Sequence, residues 1–296
     1  MSPYNRTSLG IFLFVGAVSI NAVKDGISKL LSAEITPVTF LSIQYMFLVI
    51  LLSIPITLYF GRSALIPPRP WLQLLRGGSA CLGIGFYYWS VHFIHIADAI
   101  VVVVVSPLIV TTLSPLLLGE RPLGARRIMA VLVGFIGVII IVQPSFTGQT
   151  PGYLIALGSG FFISFFYLLN RKLSQESPLI CSVFHTALCA SFFLLPLLFF
   201  YASPIHQSQL PLLASFAIFS AIGQIGMIAA FRLAAANIIS PFIYAQIIAA
   251  TAVGYYLFGA IPDKMTWFGI LIIVGAGIYI ALREIKLEQN YYIINI

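Results

Sequence analysis

The sequence contains very little charge, since Asp, Glu, Lys and Arg together make up only 8% of its 296 residues. A soluble domain carries about 25% charged residues, so a water-exposed surface cannot be built from this composition. The chain also lacks a phosphate-binding loop, an HExxH zinc motif and a CxxC pair. We therefore expect neither a soluble protein nor an enzyme, and no catalytic residue, metal or cofactor.

Cysteine is scarce as well. Only Cys81, Cys181 and Cys189 are present, all within apolar blocks and without metal-ligand spacing. Small, polarizable core residues are the simplest interpretation of all three. The net charge of +7 is not gathered into a basic patch with interleaved aromatic residues, so no nucleic-acid partner is expected.

Apolar residues, in contrast, account for 60% of the chain and occur in long uninterrupted blocks. A helix needs ~20 such residues to cross ~30 Å of hydrocarbon, and it satisfies its own backbone hydrogen bonds there. The alternation typical of a membrane β-barrel is absent. The sequence thus predicts an all-α membrane protein of ten transmembrane helices, at residues 8–30, 38–60, 71–93, 98–118, 125–143, 151–170, 179–201, 210–231, 238–258 and 266–283.

The basic residues are distributed unevenly between the two sides of such a bundle. With the N-terminus in the cytoplasm, Lys24, Lys29 and Lys264 lie on the outer side. The other twelve of the 15 Lys and Arg residues lie on the cytoplasmic side: Arg6, Arg62, Arg69, Arg76, Arg121, Arg126, Arg127, Arg171, Lys172, Arg232, Arg283 and Lys286. This bias predicts a bacterial-type inner-membrane protein with both termini in the cytoplasm.

The two halves of the sequence are similar at a shift of 140 residues, which aligns Gly119 with Gly259 and Pro122 with Pro262. Five spans in each half place equivalent loops on opposite sides, so the second copy should lose its cytoplasmic arginines. Arg121, Arg126 and Arg127 indeed align with Ile261, Thr266 and Trp267. We predict two inverted five-helix repeats, at residues 1–146 and 147–296, an arrangement that carriers use to rock around a central site.

Short motifs add to this layout. Arg69-Pro70-Trp71, Leu75-Arg76-Gly77, Ser106-Pro107 and Gly119-Glu120-Arg121-Pro122 resemble the EamA type of the drug/metabolite transporter superfamily. The resemblance covers nearly the whole chain and implies a ten-helix fold that moves metabolites across a membrane. Many members carry an Arg in the second span where this chain has Gln44, so that residue's anion-binding role is not transferred.

Polar side chains within a span are costly and therefore point to a substrate path. The first span holds Asn21 and Lys24 on one helical face, with Asp25 beside them. Alternatively, its lysine snorkels to the outer interface with Asp25 as a local partner. Further candidates are Gln44, Tyr45, Trp89, His185, Tyr244 and Gln246, for which contacts between helices or ordinary core packing are the alternatives.

These residues favour a secondary transporter for a small organic metabolite, which would move its substrate by alternating access. Of the solutes that the resemblance implies, an amino acid, S-adenosylmethionine or a nucleotide- or vitamin-like solute would each suit a cavity that is both polar and aromatic. The alternatives are a non-transporting membrane scaffold and a membrane-embedded enzyme. Besides substrate and bilayer, the partners left open are a coupling proton, an exchanged solute and a second copy of the chain in a homodimer.

Overall fold

The computed structural model describes residues 3–32, 34–90, 92–120, 124–147 and 149–294, and every regular element in these ranges is helical. Arg121 and Pro122 lie outside the described residues, as do the side chains of Arg127, Arg283 and Lys286. The α-helices are α1 (Pro3–Leu31), α2 (Pro37–Phe60), α3 (Pro70–Ser90), α4 (Ile96–Val103), α5 (Ser106–Leu118), α6 (Ala125–Val142), α7 (Thr150–Leu173), α8 (Leu179–Tyr201), α9 (Leu210–Leu233), α10 (Ala236–Ile239), α11 (Ala245–Phe258) and α12 (Lys264–Ile294).

Seven stretches within the described residues are long and apolar enough to cross a membrane: Arg6–Leu31, Pro37–Phe60, Asp98–Leu118, Thr150–Leu173, Leu179–Tyr201, Gln207–Leu233 and Ala236–Phe258. Ile128–Val142 and Lys264–Ile280 are shorter apolar helices. Large apolar side chains also cover the outside of the bundle, with Phe199 91% and Leu58 76% exposed. An apolar exterior of this kind matches lipid rather than water, which confirms an all-helical, multi-pass membrane protein.

Two spans are broken at corresponding places. The first break lies between α4 and α5, and the second is a 3-10 turn at Ser240–Tyr244 between α10 and α11. After these breaks, α5 and α11 end at Gly119 and Gly259, which have φ angles of +65° and +67°. Residues with a Cβ rarely adopt this left-handed conformation, so glycine is the residue expected at both helix ends.

Helix packing follows the same two-fold relationship. α1 packs along α9, and the corresponding helices α3 and α7 pack along each other. α2 packs on α8 and α6 on α12, each pairing a helix with its own counterpart. The first six and last six helices are therefore interlaced rather than separate, and the two repeats expected from the sequence account for this packing.

Contacts between loops define two ends of the bundle. At one end, Arg69 forms an ion pair with Glu176 (3.0 Å) and Arg171 with Glu120 (3.2 Å); we call this the arginine end. At the opposite end, the backbone N–H of Thr36 donates to Ser203 Oγ (2.9 Å), while Gln143 Nε2 donates to the carboxylate of Asp263 (2.9 Å). Thr266 and Gln143 bind this exposed carboxylate and lower the pKa of Asp263.

Among the arginines whose side chains the structure describes, Arg76 on α3 is the one that is fully buried. Its guanidinium donates to Ser182 Oγ (3.1 Å) and to the Ser182 carbonyl oxygen (2.8 Å) on α8. The neighbouring Gly77 permits this approach, since a Cβ there would lie 2.7 Å from the backbone of Cys189. Arg76 therefore joins two helices and is not a surface charge.

Candidate functional site

A charged cluster lies between α1 and α11, inside the bundle. Lys24 Nζ contacts Asp25 Oδ1 at 2.9 Å, and Gln246 Nε2 donates to Asp25 Oδ2 at 2.7 Å. Gln246 occupies this position because the broken span restarts at Ala245, which places it in the first turn of α11. The cluster joins an early helix to a late one, as a site between two repeats should.

The cluster remains accessible despite its depth in the bundle. The Lys24 and Asp25 side chains are 20% and 45% exposed. Each compensates the other's charge, which makes both tolerable within a membrane-spanning helix. A solute entering this space can therefore contact a carboxylate, an ammonium group and an amide.

Three tyrosines and a phenylalanine add aromatic surface in the vicinity of the cluster. Tyr87 and Tyr88 on α3 and Tyr167 on α7 lie close enough to Asp25 to interact with its charge. The Lys24 ammonium group lies 5.9 Å from the centre of the Phe216 ring on α9, within the range of a cation–π contact. The site thus combines charge with aromatic surface contributed by α1, α3, α7, α9 and α11.

A layer of three buried aromatic rings lies between the site and the arginine end. Phe14, Tyr167 and Phe231 are at most 5% exposed, and their ring centres lie 5.4–6.3 Å apart. Phe14, Val18 and Asp25 share one face of α1 because they are spaced by four and seven residues. Along that face the aromatic layer therefore lies between the charged cluster and the arginine end.

Asn21 and Tyr244 adjoin this cluster in different ways. The Asn21 amide oxygen packs so closely on Gly223 of α9 that a Cβ there would collide with it. Tyr244 is 3% exposed, packs against Gly134 of α6, and its hydroxyl has no hydrogen-bond partner among the described residues. Asn21 therefore packs between α1 and α9, and Tyr244 packs between the start of α11 and α6.

The remaining predicted site residues lie in other surroundings. Gln44 and Tyr45 are buried in α2, where Tyr45 packs in the cluster formed by α1, α2, α8 and α9. His185 lies toward the arginine end and contacts the Ala64 carbonyl oxygen through Nε2 (3.0 Å). Trp89 is 52% exposed and packs edge-to-face on Phe86. Among the described residues, a hydrogen bond and an ion pair join Lys24, Asp25 and Gln246, whereas no such bond links any of these four residues to them.

The aromatic run of α3 illustrates what sequence alone could not resolve. Tyr87, Tyr88 and Trp89 are adjacent, and only one or two of them can face inward. The sequence favours Trp89 for the cavity, whereas the structure packs Tyr88 against the core cluster that includes Ile27 of α1. The spacing of residues in α3 does indicate which face is buried, because Cys81, Ile84 and Tyr88 recur at helical spacing and all pack against the core.

A separate apolar crevice of about 450 Å3 lies beside this cluster. Its walls come from α1, α6, the 3-10 turn at Ser240–Tyr244, α11 and α12. Most lining residues are apolar, and Tyr244 is among them. Ala245, Ile248, Ala249 and Ala252 line it, so it occupies a different face of α11 from Gln246. Because Val274 and Ile278 at its edge are 42% and 54% exposed, the crevice adjoins the lipid-facing surface.

Comparison with known proteins gives consistent results. The sequence profile of the EamA-like transporter family matches residues 8–143 and again residues 150–283. The S-adenosylmethionine uptake transporter of Rickettsia prowazekii is 24% identical over 277 residues, covering 94% of both chains. The riboflavin transporter of Vibrio cholerae is 31% identical over 220 residues, or 74% of each chain.

A solved crystal structure supports the fold independently of these sequence relationships. It has a TM-score of 0.74 and 19% identity, and it covers 92% of this chain and 95% of its own. At this identity the likeness concerns the fold alone.

Proposed function

On the premise that the chain belongs to the EamA-like transporter family, we propose that it works by alternating access around the charged cluster. The chain is a small-metabolite transporter and not an enzyme. The observation that carries this proposal is the contact of Asp25 with both Lys24 and Gln246. α1 and α11 come from different halves, so relative motion of the halves would rearrange these contacts. Alternating access requires a site of this kind.

The proposal includes an architecture of ten membrane crossings in two inverted repeats, at residues 1–146 and 147–296. The shared glycine caps at Gly119 and Gly259 and the two broken spans support it. Successive loops lie alternately at the two ends, as antiparallel crossings require. Arg69 and Glu176 join two loops at the arginine end, and Thr36 and Ser203 join two loops at the opposite end. By the positive-inside rule, the arginine end and both termini are cytoplasmic, in a bacterial inner membrane.

The chemistry of the cluster favours a solute that carries charge and a ring. Asp25 would bind an ammonium or sulfonium group, Lys24 a carboxylate, and the tyrosines would pack on the ring. S-adenosylmethionine, the substrate named for the Rickettsia relative, has all of these groups. We therefore place this class before the uncharged ring system of riboflavin, the substrate named for the Vibrio relative.

The proposed binding residues are Asn21, Lys24, Asp25, Tyr244 and Gln246. The sequence also predicts four substrate-binding residues that form no bond with the cluster in this conformation: Gln44, Tyr45, Trp89 and His185. In the proposal they reach the substrate when the helices rearrange. Transport would be secondary, driven by an exchanged solute or a proton, because this chain encodes no phosphate loop. A homodimer would form through the exposed apolar faces of the bundle.

Thermal-shift screening of the purified protein tests the site. S-adenosylmethionine, amino acids, nucleosides and riboflavin would be titrated, because a ligand that binds the folded state raises its melting temperature with dose. We expect one charged solute to give a shift that Lys24→Ala and Gln246→Ala abolish. Lys264→Ala, at the opposite end, is the control that should retain it.

Uptake of the same compounds into proteoliposomes completes the test. A shift and uptake that persist in both Lys24→Ala and Gln246→Ala would place the substrate elsewhere. Absence of both shift and uptake for every compound would favour the scaffold alternative.

A further inference from the structure

Glu120 connects three segments at the arginine end, directly after α5. Its Oε1 accepts hydrogen bonds from the Ala236 backbone N–H (2.8 Å) and from Arg171 Nε (3.2 Å). Its Oε2 accepts from the Asn237 N–H (3.3 Å). One carboxylate therefore caps α10, the start of the broken span that carries Tyr244 and Gln246, and also binds α7.

Arg171 extends this connection to α9. Its Nη1 donates to the Phe231 carbonyl oxygen (2.8 Å) and to the Arg232 carbonyl oxygen (3.3 Å) at the end of that helix. Only 21% of the Arg171 side chain and 10% of the Glu120 side chain is exposed. An ion pair this protected from water contributes more than an exposed one.

The pair lies over the aromatic layer between the site and the arginine end. Phe231, whose carbonyl binds Arg171, contributes its own ring to that layer with Phe14 and Tyr167. Tyr167 is one helical turn before Arg171 on α7. Separation of Glu120 from Arg171 would therefore release α7 and α9, which carry two of the three rings, from the ends of α5 and α10.

The opposite end lacks the corresponding carboxylate. The 140-residue repeat aligns Glu120 with Ala260, whose side chain cannot accept a hydrogen bond. Ala260 contributes only its backbone to the end of α11, where its N–H donates to the Gly254 carbonyl oxygen (3.2 Å). The aligned positions at the two ends are therefore built differently, because only Glu120 has a carboxylate there that joins α7 and α10.

We infer that Glu120 and Arg171 form a latch that holds the cytoplasmic end of the transport path closed, and that they must separate for solute to pass that end. The inference rests on the proposed function, which defines the path and its cytoplasmic side. It assigns Glu120 a role in gating and in positioning Gln246, without contact with substrate.

Site-directed thiol labelling tests the latch without any substrate. The native cysteines would be replaced by Ala, and Val18→Cys would serve as reporter, because Val18 is fully buried between Phe14 and Asp25 on α1. A membrane-impermeant maleimide is applied to inside-out vesicles and to spheroplasts. Glu120→Gln is compared with Glu176→Gln, which breaks the exposed Arg69–Glu176 pair at the same end.

Glu120→Gln should raise the labelling rate in inside-out vesicles about tenfold, the change expected when a charge-assisted bond that stabilises the closed state is lost. Glu176→Gln should leave the rate unchanged. If Glu120→Gln fails to fold, as judged by size-exclusion chromatography, Arg171→Gln replaces it.

Unchanged labelling in a folded variant of either latch residue would overturn the inference. Because the readout needs no substrate, a negative uptake assay would not affect it. Failure of the latch and failure of the transport proposal are therefore distinguishable.

Discussion

At the scale of single residues, the cost of charge in a membrane explains the arrangement of the site. Asp25 is compensated by Lys24 and by the amide of Gln246, so none of these polar groups is left alone in an apolar bundle. A solute with charges of its own can take over these contacts. All three residues stand out in the sequence, because a polar residue within an apolar block is conspicuous, and their role in binding stays a prediction.

Asp25→Asn should discriminate between substrate classes. The variant keeps the size of the side chain but loses its charge, so the Kd of a cationic solute such as S-adenosylmethionine should rise at least about tenfold. Binding of uncharged riboflavin, if any, should change little. Thermal-shift titration gives both values, with Asp263→Asn as the control because Asp263 is exposed and far from the cluster. An unchanged Kd for the cationic solute would remove Asp25 from the binding site.

At the scale of helices, glycine determines where spans end and how closely they approach. Gly119 and Gly259 end corresponding spans in the left-handed conformation, and the repeat in the sequence predicted their equivalence. Gly77 has a different role, since it allows α3 to contact the backbone of α8. No sequence pattern separated this glycine from others in α3, because close approach depends on the partner helix.

Replacing either helix-capping glycine by alanine should destabilise the protein to a similar extent. A Cβ at φ near +65° costs about 1–2 kcal/mol, so both Gly119→Ala and Gly259→Ala should lower the melting temperature. Gly124→Ala is the control, because Gly124 has a φ of −65° and open space around it. A lower melting temperature in only one of the two variants would contradict the equivalence of the repeats.

Gly77→Ala should weaken the packing of α3 on α8. The added methyl group would meet the backbone of Cys189 and Ala190 at 2.7–2.8 Å, and overpacking of this kind costs about 1–3 kcal/mol. We expect a lower melting temperature in detergent. Gly16→Ala on α1, which has nothing within 4 Å, should be neutral, and equal effects of the two substitutions would refute the packing argument.

At the scale of the whole molecule, the distribution of arginine predicts which end faces the cytoplasm. Arg62 and His206 are both exposed, at the arginine end and the opposite end respectively. In a background without native cysteines, Arg62→Cys should react with an impermeant maleimide only in inside-out vesicles, and His206→Cys only in spheroplasts. The reverse pattern would invert the proposed orientation.

The sequence by itself determined the class of protein, its all-helical multi-pass architecture, and which residues of α1 and α11 are polar. These properties follow from local chemistry, since lipid requires continuous apolar helices and makes each buried charge conspicuous. Only the tertiary structure decided that Asp25 binds Lys24 and Gln246, that Trp89 packs on Phe86 while Tyr88 packs in a core cluster with residues of α1, and that Glu120 joins Arg171 across 51 residues. Such choices depend on how interlaced helices rotate and approach one another, which is set by packing between distant segments.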